Sequence, residues 1–263
     1  MNRLGHESAA LLGIAQRDLV KLLRDRPRLA VNLAFPILLI VGLGNVLQSS
    51  VGVVTGLDAV ALAFTGVLAA TLFQSTAAGM ISIAQDREND FTAELFVAPV
   101  SRFTLLFGKI IGESAVAVFQ GLCVLLVAAL IGVRTSPDRI GVMALTGLLC
   151  CLLGGAFGLV VLAVTPNQRS AMDIFQFFII PQYVLAGVLA PLHDLPGYLD
   201  VIAWAMPLRY AVGLMRSVYF AGSPGYDQVV VAGPAVDSVV LIVLTAVLLG
   251  VGVVVFDHRE RHR

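Results

Sequence analysis

The sequence predicts an all-α integral membrane protein. Six transmembrane helices are expected, preceded by an amphipathic interfacial helix, with a short cytoplasmic helix between the second and third spans and short outer-leaflet or re-entrant helices before the last. Three observations carry this expectation. Of the 263 residues, 58% are hydrophobic and 13% are charged, with a mean hydropathy of +0.92; soluble domains carry about twice that share of charge. Six stretches approach or exceed the roughly 20 apolar residues that cross about 30 Å of hydrocarbon. When these stretches are threaded alternately through a bilayer, the basic residues divide unequally between its two sides.

Residues 1–28 contain Arg3, Arg17, Lys21, Arg24, Arg26 and Arg28. They lack the short apolar core and small-residue cleavage site of a signal peptide, so the amino terminus is expected to stay cytoplasmic. Over 9–26, Leu11, Leu12, Ala15, Leu19, Leu22 and Leu23 fall on one helical face and Arg17, Asp18, Lys21, Arg24 and Asp25 on the other. That is the pattern of a helix lying in the membrane plane, the alternative being a cytosolic helix packed on a partner. Pro27 separates it from the first span. Spans are expected near 29–48, 58–83, 103–133, 140–165, 171–191 and 237–257. They form one domain over 1–263, in which 29–191 holds spans one to five, 192–236 an outer-face segment and 258–263 a cytoplasmic tail. With both termini inside, thirteen basic residues lie on the cytoplasmic side and four, Arg134, Arg139, Arg209 and Arg216, on the outer side. No Lys or Arg then sits at mid-membrane, where each would cost roughly 2.5–3.5 kcal/mol.

The segment 192–220 follows Pro191 and is too broken by Pro196, Gly197 and Pro207 to be a span, yet too apolar for a free loop. Short helices with their backbone buried in protein satisfy both constraints. Arg209 and Arg216, seven apart, share a face from which they can pair with Asp194 and Asp200 or reach lipid headgroups. Asp237 is placed to cap the last span.

Between the second and third spans runs DRENDFTAELFVAPVSR, residues 86–102, far more polar than its surroundings. Asp86, Glu88 and Asp90 suit the positive end of a short helix. Phe91 and Leu95 fall on one face of it and Asp90 and Glu94 on another. Pro99 stops it, and Ser101 is placed to cap the next helix. An apolar knob held between two spans can enter a groove on a soluble partner and pass displacement into the membrane; an ordinary solvated loop is the alternative.

The run RENDFTAELFVAPVSRFTLLFGKIIG resembles the corresponding stretch in permeases of bacterial type-2 ABC exporters, where an acidic-flanked helix is followed by a proline, a Ser-Arg pair and a Gly-Lys. LAGVLAPLHDLPGYLDVIAWAMPLRYAVGLMR, residues 185–216, is similar to that family's segment after the fifth span. The resemblance implies a multidrug or antibiotic efflux-like permease in the bacterial plasma membrane. It further implies that 86–99 is a coupling helix, with Asp86, Arg87, Glu88, Asp90, Phe91, Glu94, Leu95 and Pro99 facing a separate nucleotide-binding subunit. ATP and Mg would then be bound in that subunit and none in this chain. A second permease copy, identical or similar, would complete the pathway, and the amino-terminal segment would be the connecting helix. Asn89 and Asp90 depart from the family, which often has a small residue there.

A phosphate loop needs G-x-x-x-x-G-K followed by Ser or Thr. The Gly108-Lys109 pair is followed by Ile110, and the earlier glycine is replaced by Phe103, so ATP hydrolysis is expected elsewhere and this chain is not expected to be an enzyme. His6, His193, His258 and His262 are too scattered for a metal site, and Cys123, Cys150 and Cys151 lie in apolar runs without paired spacing. With 17 basic and 17 acidic residues, no bulk charge attracts nucleic acid.

Polar groups inside spans usually face a bundle interior or a cavity. Gln74, Ser75 and Thr76 in the second span, Gln120 in the third, and Gln176 and Gln182 in the fifth are the candidates. Phe175, Phe177, Phe178 and Tyr183 add an aromatic surface suited to hydrophobic, amphipathic or lipid-like substrates. Hydrogen bonding between neighbouring helices is the alternative for each polar residue. Glu113 and Lys109, four apart, are placed to pair. A secondary transporter would need intramembrane acids and inverted repeats, and a membrane scaffold would need neither pathway nor coupling helix.

Overall fold

The computed structural model describes residues 25–49, 58–88, 102–189, 192 and 196–261, with isolated positions between 13 and 24. Helix α1 runs Arg26–Leu38 and continues through a π-helical stretch, Leu39–Leu43, into the turn Gly44–Leu47. Pro36 lies inside it; a proline offers no N–H to the ladder and commonly precedes such a distortion. Helix α2 is Ala59–Glu88, α3 Arg102–Leu130, α4 Pro137–Val164 and α5 Gln168–Leu185. The short helices α6 (Gly197–Trp204), α7 (Pro207–Tyr219) and α8 (Tyr226–Val229) follow, and α9 is Pro234–Arg261.

Local chemistry sets several boundaries. Asp58 accepts the Ala61 N–H at 3.0 Å and Gln48 that of Ala59 at 2.7 Å, closing the start of α2. Asn167 caps α5 through the Ser170 N–H at 2.8 Å. Both α3 and α5 end in the paired bonds of a Schellman turn, Val133 to Ala128 with Gly132 to Ala129, and Val188 to Tyr183 with Gly187 to Val184. Gly132 and Gly187 take the positive φ angles, 96° and 72°, that the motif requires. The α5 turn ends that helix at Leu185, short of the expected residue 191. The last helix starts at Pro234, so Asp237 lies inside its first turn with its own N–H bonded to Gly233 O, and it is not the cap that the sequence led one to expect.

Among the described residues, five helices are long and apolar enough to cross a membrane: Leu29–Leu47, Ala59–Gln85, Leu106–Leu130, Pro137–Val164 and Tyr226–Arg259. They match expected spans one to four and six. The fifth expected span is α5, whose 18 residues include Arg169, Asp173, Gln176 and Gln182, and it is not among these five.

Helix α2 is the centre. It is apolar on every side and packs on α3, α4, α5 and α7, while α4 also carries α9. Lipid tails are as apolar as leucine, so close packing rather than the hydrophobic effect must hold such helices together. Gly154 and Gly158, one turn apart on α4, supply that closeness: a Cβ on either would collide with the backbone of Phe73 or Ala77, one turn apart on α2. Phe73 and Phe157 fill the adjoining space with ring centroids 5.5 Å apart.

The segment after α5 folds back onto this core. Helix α7 buries Leu208, Ala211 and Met215 together with Arg209 and Arg216. Arg209 lies 3.8 Å from Asp200 and stacks over Trp204 at 4.2 Å. Arg216 donates to Gly187 O at 2.6 Å and to Val188 O at 3.3 Å, gripping the turn that ends α5. Arg216→Met is expected to leave both carbonyls without that donor, at a cost of about 1–3 kcal/mol each. A lower Tm of the purified protein checks this; an unchanged Tm contradicts it.

Candidate functional site

A cavity of about 640 Å³ opens between α1, α2, α3 and α5. Helical periodicity aims each wall inward: Thr71, Gln74, Ser75 and Ala78 from α2, Glu113, Val116 and Gln120 from α3, and Phe175, Gln176, Ile179 and Tyr183 from α5. Helix α1 adds Asn32, Phe35 and Pro36, and Leu22 closes one edge. Leu22 is one of the described positions of the amino-terminal segment; it is helical and buried, whereas Gln16, Val20 and Arg24 are helical and exposed.

The polar groups are arranged in pairs. The Tyr183 O–H donates to Gln74 Oε1 at 3.2 Å, joining α5 to α2 across the cavity. Phe35 meets the Tyr183 ring edge-on at 6.2 Å between centroids. On α3, Lys109 Nζ lies 2.7 Å from Glu113 Oε1, one turn away, and both side chains are buried. The second carboxylate oxygen occupies the space that a Cβ on Gly79 would take. A volume of this size holds a drug-sized molecule, and apolar walls with a few convergent polar groups are the usual character of such a site.

Four of the seven expected pathway residues, Gln74, Ser75, Phe175 and Tyr183, therefore converge, and three do not. Thr76 is buried with its hydroxyl bonded to Leu72 O at 3.0 Å. Phe178 is 45% exposed and meets Phe157 and Phe177 instead. Gln182 accepts the Leu208 N–H at 3.1 Å, which satisfies the open start of α7. Gln182→Leu should remove this acceptor and cost about 1–3 kcal/mol through the stranded amide. A lower Tm would show it, and an equal Tm would refute it. Asn32, Phe35 and Thr71 line the cavity without having been singled out, although Asn32 was visible as a polar residue in an apolar span.

At the loop between α2 and α3, the structure continues α2 through Asp86, Arg87 and Glu88, whereas the sequence placed Asp86 and Glu88 at the start of a separate helix. No glycine or proline lies between Ala84 and Glu88, so nothing halts the ladder there. Asp90, Phe91, Glu94, Leu95 and Pro99 lie outside the described residues.

Apolar helices of membrane length around a substrate-sized cavity define a multi-pass membrane protein with the form of a transporter. The family described as ABC-2 type transporter matches residues 10–220, and the chain belongs to that family, whose members are permease components of transporters rather than catalytic enzymes. It is similar to the transport permease ycf38 of Cyanophora paradoxa, with 24% identity over 213 residues, 80% of this chain and 73% of the relative. Nodulation protein J of Sinorhizobium fredii is 25% identical over 190 residues, 70% of this chain and 71% of that protein. YbhR of Escherichia coli K12, described as a multidrug ABC transporter permease, is 24% identical over 139 residues. That match covers 53% of this chain and 38% of YbhR.

Proposed function

We propose that this chain is one half of an ATP-driven exporter and moves a hydrophobic or amphipathic molecule, of the drug, antibiotic or lipid-like kind, outward across the bacterial plasma membrane. The observation that carries this reading is the cavity between α1, α2, α3 and α5, which gathers Gln74, Ser75, Phe175 and Tyr183 beside apolar walls. YbhR, named for multidrug transport, supports the same substrate class. Helix α5 serves as the fifth of six spans. Both termini lie in the cytoplasm, and α6 and α7 lie in the outer leaflet. A second permease copy, identical or similar, completes the pathway, with lipid around the pair.

Membership of an ABC family implies an ATP-binding subunit, and in this reading that subunit is a separate chain that holds ATP and Mg. It docks on residues 86–99, where Phe91 and Leu95 form the apolar knob and Asp86, Arg87, Glu88, Asp90, Glu94 and Pro99 frame it. Closure of two such subunits on ATP displaces both coupling helices and shifts the two bundles against each other.

Ser75→Trp tests the pathway, because an indole at this cavity-lining position fills space a substrate must cross. Export of a hydrophobic dye from reconstituted vesicles should fall to near background, while assembly with the ATPase subunit persists. Undiminished export in that variant would place the route elsewhere.

A further inference from the structure

A second, much smaller cavity lies where the end of α5 meets α7, α8 and the start of α9. It holds about 30 Å³, and Gly187, Arg209, Gly213, Arg216 and Asp237 line it together with apolar neighbours. Arg209, Gly213 and Arg216 stand at i, i+4 and i+7 and so share one face of α7. Both arginines and Asp237 are more than nine-tenths buried. The charged groups of Arg216 and Asp237 lie against other lining residues. Arg216 Nη2 reaches Gly187 O at 2.6 Å, and the Asp237 carboxylate takes the space that a Cβ on Gly213 would fill. The carboxylate thus rests on the α7 stripe between the positions of two arginines. The ion pair of Arg209 is with Asp200 instead, loose at 3.8 Å.

Among the described residues, the buried side-chain atoms without a hydrogen-bond partner are Arg209 Nη1, Arg216 Nε and Asp237 Oδ2, and all three belong to residues lining this cavity. Such atoms are rare and costly, so three of them around one space call for a common cause. Their chemistry is complementary: two N–H donors and one anionic acceptor. An anion would meet the carboxylate, and a metal ion would meet two guanidiniums. A water molecule accepts from both arginines and donates to Asp237, and it needs only about 10–15 Å³ and two to four polar partners. We infer that this cavity is a binding site for one structural water, and that Asp237 is the internal counter-ion joined through that water to both arginines of α7. The last span is thereby tied to the helix that grips the turn after α5. Gly213 is the small residue that lets the carboxylate reach this place.

The test joins an experimental density map to thermal unfolding, both on the full chain in lipid nanodiscs. A map sharp enough to show ordered waters should contain a peak about 2.7–3.2 Å from Asp237 Oδ2 and from at least one of the two arginine nitrogens. Asp237→Asn should lower Tm by about 5 °C or more, because two buried guanidiniums lose their anion. In that background Arg209→Gln should cost less than it costs in the wild-type chain. Gly213→Ala should lower Tm in the wild-type chain, where the methyl meets the carboxylate, and be tolerated beside Asp237→Ala, where the carboxylate is gone. General damage to folding would accumulate in these pairs rather than cancel. No peak, a direct ion pair in its place, an Asp237→Asn chain as stable as the wild type, additive losses, or a Gly213→Ala cost that persists beside Asp237→Ala would each overturn the inference. The map is read on the wild-type chain, so it decides even where a variant does not fold.

Discussion

Phe91→Asp is expected to abolish ATP-driven transport while the protein still inserts and folds. The reason lies in the pattern of the loop: Phe91 and Leu95 stand four residues apart, interleaved with Asp86, Glu88, Asp90 and Glu94. An apolar anchor in a partner's groove commonly accounts for about 2 kcal/mol or more of the contact, so removal weakens docking by roughly thirtyfold. A carboxylate in its place adds the desolvation of a new charge. The variant should purify in normal yield, fail to retain the ATPase subunit and show no substrate-stimulated hydrolysis. Leu95→Asp should behave alike. Wild-type transport in either variant would dismiss 86–99 as the coupling element.

The second large effect is expected at the crossing of α2 and α4. Gly158→Leu places a branched side chain where the backbone of Ala77 already lies, and the two helices must separate to admit it. Overpacking of a tight core costs about 1–3 kcal/mol when neighbours can shift. Here the obstruction is main chain, so the upper end or beyond is expected. Separation also undoes the fit of Phe73 against Phe157 and moves Gln74 and Ser75 out of the cavity wall. The predicted outcome is low yield and aggregation in detergent, whereas Gly250→Leu, at a position with open space around it, should be tolerated. Equal behaviour of the two variants would show that the close crossing is not what holds the bundle.

Hydropathy and charge made most of this architecture legible, because a bilayer imposes a length and a polarity on every span. Helices α1 to α4 and α9 lie within a few residues of the expected positions. Span five was harder, since its 18 residues mix Arg169, Asp173 and three glutamines with aromatic rings, and its end is fixed by the φ of Gly187 rather than by hydropathy. Within the cavity, the polarity of Gln74 and Ser75 inside an apolar run was signal enough. What separates Gln74 from Thr76 or Gln182 is the direction a side chain takes, and that depends on neighbours the sequence does not name. Thr76 turns back to its own helix, and Gln182 is taken up by the start of α7. Phe35 gave no cue, being one apolar residue among many; only the approach of α1 to α5 puts its ring against Tyr183. The Lys109–Glu113 pair was legible because one helical turn separates the two residues. Its position on the cavity wall, with Gly79 opposite, was not.

The most direct measurement is ATP-dependent transport by this chain and a separate ATPase subunit that copurifies with it, reconstituted in vesicles with a hydrophobic dye. The two chains together should accumulate the dye across the membrane in the export direction, with ATP required, and this chain alone should move none. ATP-independent movement by the permease alone, or failure of the two chains to associate or transport, would contradict an exporter driven through this cavity by a separate nucleotide-binding subunit.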